Sequence, residues 1–74
     1  VEAVTLDEHL NACVRETNRL PSGTGARAAL AAAIAADPAL RAEAVEEMTR
    51  CRAVADRCFI ARTKLAALEG VLRS

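Results

Sequence analysis

The sequence predicts an all-α protein, a three-helix hairpin or bundle with one long C-terminal helix, and three observations carry that expectation. Apolar residues recur at spacings of three and four along most of the chain, and no segment alternates as a half-buried strand does. Helix-breaking residues concentrate in two places only, residues 21–25 and Asp37-Pro38. The 74 residues make one small domain, 1–74, with a helix over about 5–20, a loop at 21–24, a helix over about 25–36 and a helix over about 38–72.

The first helix starts where Thr5 and Glu8 have the form of a capping box. Leu6, Leu10, Cys13, Val14, Thr17 and Leu20 then follow as one stripe until Pro21. Thr24 is the expected cap of the second helix, which carries Ala26, Ala29, Leu30, Ala33 and Ile34 on one face of an almost uniform Ala surface. Asp37 caps the third helix and Pro38 fits its first position. From there a seam of Leu40, Ala44, Glu47, Cys51, Val54, Cys58, Ala61, Leu65, Leu68 and Leu72 alternates spacings of four and three as in a coiled coil, with no Gly or Pro before Gly70. Such a helix is about 50 Å long at the standard rise, and its apolar end near Leu65, Leu68 and Leu72 is expected to lie open to a partner.

Composition narrows the function. Ten basic and ten acidic side chains cancel, so the chain as a whole has no electrostatic footprint for nucleic acid. No apolar run approaches the 18 or so residues of a membrane span, so no transmembrane segment is expected. The start at Val1, without Met or a leader pattern, reads as a processed chain or an excised fragment. Eighteen of the residues are Ala, each of which buries little area. Below roughly 70 to 80 residues a single core supplies only about 3 to 5 kcal/mol, so the missing stability is expected from a partner, from self-association or from a bound ion.

Residues capable of chemistry are few. His9 and Cys13, four apart on one helix face, have a spacing that puts two ligands on one zinc ion. This stretch resembles the HxxxC half of the zinc-binding anti-sigma domains; that family continues as HxxxCxxC, whereas Glu16 stands here at the third ligand position. Cys51 and Cys58 sit seven apart, about 10.5 Å along a continuous helix, too far for a mutual disulfide. An odd number of thiols mildly favours a reducing compartment. The stretch from Ser22 to Arg27 carries two Gly at a helix start, an arrangement whose backbone donors can hold a phosphate. It lacks the strand and Lys of a P-loop and reads as loop and cap. Arg50, Arg57 and Lys64 form a basic stripe without interleaved aromatics.

With a single His, no Tyr and no nucleophile beside an assignable base, the chain is not expected to be an enzyme. The expected function is a non-catalytic helical interaction module, self-associating or a structural subunit or segment of a larger protein assembly, with Val54, Phe59, Leu65, Leu68 and Leu72 as its interface. The competing expectation is a metal-binding or thiol-redox helical protein using His9, Cys13 and either Cys51 or Cys58, with zinc as the metal. A third is a regulator that binds a partner helix through the exposed part of the last helix.

Overall fold

Polar side chains placed just ahead of apolar stripes decide where the helices begin. The computed structural model describes residues 4–73. The Thr5 hydroxyl accepts from the Glu8 N–H at 3.2 Å, opening α1 (Leu6–Thr17) with Asp7 and Glu8 in its first turn, where carboxylates suit the helix dipole. The helix ends at Asn18, before Pro21 is reached. Arg19 adopts a left-handed φ of 60°, and the N–H groups of Arg19 and Leu20 turn back to the carbonyls of Glu16 and Arg15. This is a Schellman ending with Arg where Gly usually stands.

A 3₁₀ turn over Pro21–Gly23 follows, and Gly23 explains its path. A Cβ there would lie 2.6 Å from the Arg15 carbonyl carbon and 2.7 Å from the Ala12 oxygen, so the backbone of the turn rests directly on the backbone of α1. Only a residue without a side chain permits that approach. The helix α2 (Ala26–Ala36) is capped at Gly25, not at Thr24 as its hydroxyl suggested; Gly25 supplies the left-handed φ of 76°. Asp37 alone separates α2 from α3 (Pro38–Val54), and its carboxylate accepts from the Ala39 N–H at 3.0 Å.

The expected helix over 38–72 is broken. It consists of α3 and a second helix, α4 (Phe59–Arg73), joined by residues 55–58, and these two pack on each other more extensively than any other pair. The chain measures 35 × 28 × 23 Å, which leaves no room for a 50 Å rod. The cause is burial. A straight helix would expose most of its seam, whereas the reversal brings the small residues Ala44 and Cys51 of α3 together with Ala61, Ala67 and Leu68 of α4 in one core. Four residues suit a helical hairpin, and the loose ends are satisfied locally. The Val54 carbonyl accepts from both Arg57 and Cys58, Arg62 Nε donates to the Ala55 carbonyl at 3.1 Å, and the Ala61 N–H points at Cys58 Sγ at 3.5 Å.

The protein is therefore all-α with four helices among the described residues, and α4 touches all of the other three. Leu10, Leu30, Leu68 and Cys13 are the largest side chains wholly removed from solvent. At about 1.5 to 3 kcal/mol per buried Leu, this is a thin core, as the Ala content implied. At the far end of the hairpin, Arg41 reaches the Leu72 carbonyl at 3.5 Å and ties α3 to the last turn of α4.

Candidate interaction surface

The reversal between α3 and α4 buries one of the five expected interface residues and partly covers two more. Leu68 is 0% exposed, and Leu65 and Leu72 pack against the same core, so the apolar end of the seam is used inside the chain. The other two lie at the corner. Phe59 is 66% exposed and Val54 37%, and Ile60, which the heptad pattern passed over, is 54% exposed beside them. Ile60 escapes a seam-based reading because it lies one position off the apolar repeat; its signal was the run Phe59-Ile60 at a helix start. No capping or core role accounts for three large apolar side chains clustered there.

Next to this corner is an open hollow of about 190 Å³, whose wall includes Cys51, Val54, Cys58, Ile60 and Lys64. A second hollow, of about 430 Å³, lies between the start of α1 and the middle of α3, bordered by Asp7, Glu43 and Glu46. Glu47 and Arg50 line both. These two form a close ion pair, with Arg50 Nε donating to Glu47 Oε1 at 2.7 Å. That contact and the carboxylate's charge hold the guanidinium above its ordinary pKa.

The four metal-ligand candidates are not gathered into one set. Cys13 is buried in the core near α2, His9 is half-buried on α1, Cys51 is buried on α3 and Cys58 is exposed at the corner. Among the described residues no group of three His, Cys, Asp or Glu side chains could hold a metal ion. The 10.5 Å separation of Cys51 and Cys58 does not apply, because the helix ends between them and both thiols line one hollow. Burial pushes the Cys13 thiol up, with Glu16 adding to it against Arg27. Burial likewise raises Cys51, reinforced chiefly by Glu47.

Glu16, standing where the anti-sigma pattern has a ligand, has another task. Its carboxylate accepts from the Gly25 N–H at 2.8 Å through Oε2 and from the Arg27 N–H at 3.1 Å through Oε1. One side chain on α1 thus caps α2 and occupies the backbone donors that a phosphate would need. Sequence spacing hides this role, since the partners are nine and eleven residues away across a loop. Among the described residues no helix is long and apolar enough to cross a membrane. Comparison with protein-family models, curated proteins and solved structures finds no match for this chain.

Proposed function

We propose that this chain is a non-catalytic helical interaction module, joined to another protein chain through the corner between α3 and α4. The observation that carries the reading is the exposure of Val54, Phe59 and Ile60 together, in a protein whose core holds so few large side chains. Covering them would add apolar burial of the kind the interior lacks. His9 and the three thiols are spread over α1, α3 and the corner, with Cys13 and Cys51 buried and raised, which weighs against the competing reading that uses them as one site.

The test is site-specific crosslinking in the cells that produce the protein. A photoreactive amino acid in place of Phe59 is expected to yield a discrete crosslinked product, and the same group in place of Ala32, exposed on α2, none. No product from position 59, or the same products from both positions, would overturn the reading.

A further inference from the structure

One side of α3 changes sign along its length. Glu43, Glu47, Arg50 and Val54 are spaced four, three and four and so share a face. Glu43 and Glu46 border the larger hollow with Asp7, at the acidic end. Beyond Val54 come Arg57, Phe59 and Ile60, and Lys64 closes the smaller hollow, at the basic and apolar end. Because Glu47 and Arg50 line both hollows, the two ends belong to one continuous surface whose middle is that ion pair.

The charges at its ends are left largely unmatched within the chain. The ion pairs among the described residues are Glu47–Arg50, Asp56–Arg57 at a loose 3.9 Å, and Glu69–Arg73. Asp7, Glu43 and Glu46 on one side and Lys64 on the other take part in none of these. The surface is therefore divided in sign, with Asp7, Glu43 and Glu46 at one end and Lys64, beside the Asp56–Arg57 pair, at the other, so that the two ends attract each other across a pair of copies.

We infer that this surface binds a second copy of the same chain, antiparallel, about a two-fold axis near Glu47 and Arg50. Each copy then lays its basic, apolar corner on the acidic hollow of the other, and every contact is made twice, as a two-fold interface requires. A parallel arrangement would set Glu43 against Glu43 and Lys64 against Lys64, which like-charge repulsion disfavours. The inference rests on the corner being an interface and adds what covers it and in which direction.

The experiment is sedimentation velocity on the full chain over a range of concentrations, with two charge-reversal variants. Glu43→Arg with Glu46→Arg turns the acidic end basic, and Arg57→Glu with Lys64→Glu turns the basic end acidic; circular dichroism checks that each stays helical. The wild type is expected to dimerise, each variant alone to dimerise about tenfold or more weakly, and an equimolar mixture of the two to recover a dimer of one of each. A monomeric wild type, variants that dimerise as well as the wild type, or a mixture that fails to recover would each overturn the antiparallel arrangement. Its failure is separable from that of the corner reading. If the probe at position 59 crosslinks to a different protein, the corner remains an interface and the second copy is ruled out as its occupant.

Discussion

The two halves of this molecule solve the same problem with different materials. The first, α1 with the 3₁₀ turn and α2, buries Leu6, Leu10, Cys13, Leu30 and Ile34, and takes the cap of α2 from the Glu16 carboxylate. The second, the α3–α4 hairpin, buries mainly Ala44, Cys51, Ala61, Ala67, Leu68 and Val71, and caps α4 with a thiol, a weak acceptor. The hairpin places its small residues inside and carries Val54, Phe59 and Ile60 outside. An inward face of Ala and Cys returns little buried area, and the hairpin leaves Val45, Val54, Phe59 and Ile60 uncovered, whereas the first half leaves Val4 and Leu20.

The sharpest way to break that contrast is to compare a buried and an exposed apolar residue of the same helix. Leu68→Ala is expected to cost about 2 to 5 kcal/mol, comparable to the whole stability of a chain this size, and so to leave it largely unfolded in the absence of denaturant. Phe59→Ser should lower the stability of a dilute sample by less than about 0.5 kcal/mol. Equal losses in urea unfolding would mean that the corner belongs to the core.

Two glycines divide along the same line. Gly23→Ala drives a methyl group into the backbone of α1 and should destabilise by about 1 to 3 kcal/mol. Gly70 lies exposed within α4, and a Cβ added there would meet nothing within 4 Å, so Gly70→Ala should stabilise by about 0.5 to 1 kcal/mol. Opposite signs in thermal melting are the expected result; a neutral Gly23→Ala would show that the turn can lift away from α1.

The caps offer a smaller contrast. Glu16→Ala removes the acceptor for two backbone donors of α2 and should cost about 0.5 to 2 kcal/mol. Cys58→Ala, which removes only a long sulfur contact at 3.5 Å, should cost a few tenths of a kcal/mol, roughly the scatter of surface substitutions. Hydrogen exchange at the start of each helix distinguishes a local cap from a global effect.

How much of this was legible in the sequence follows from which contacts are local. Thr5 and Asp37 announce their helices because a cap bonds within three residues, and the Leu6–Leu10–Cys13 and Leu30–Ile34 stripes are buried as their spacing implied. The reversal at residues 55–58 was hidden because a four-three seam looks the same whether it faces another chain or folds back on itself. Ala44, Cys51, Ala61 and Leu68 satisfy either arrangement. Charge marks only one side of the break: Arg52 suits the last turn of α3, whereas Asp56 is followed at once by Arg57 ahead of α4. Glu16 could not be read at all, since its partners are assembled by the turn at Gly23 and not by spacing.

The smallest expected effect links the halves, because each contains one raised thiol. Cys13 and Cys51 are both displaced upward from the ordinary 9.0, chiefly by burial. The unfolded chain therefore loses these protons first as pH rises, and the folded chain binds more protons in the window above 9.0. The stability they contribute is complete below that pH and is lost as pH climbs through the folded-state values. Urea midpoints taken from about pH 7 to about pH 10.5 should fall above about pH 9, and Cys13→Ala and Cys51→Ala should each flatten part of the fall, on top of any constant loss from the smaller side chain. Glu16 contributes to the Cys13 shift, so Glu16→Ala should flatten the Cys13 part and leave the Cys51 part unchanged. An equal flattening of both would mean that the two halves titrate as one unit and that the division between them is only one of packing.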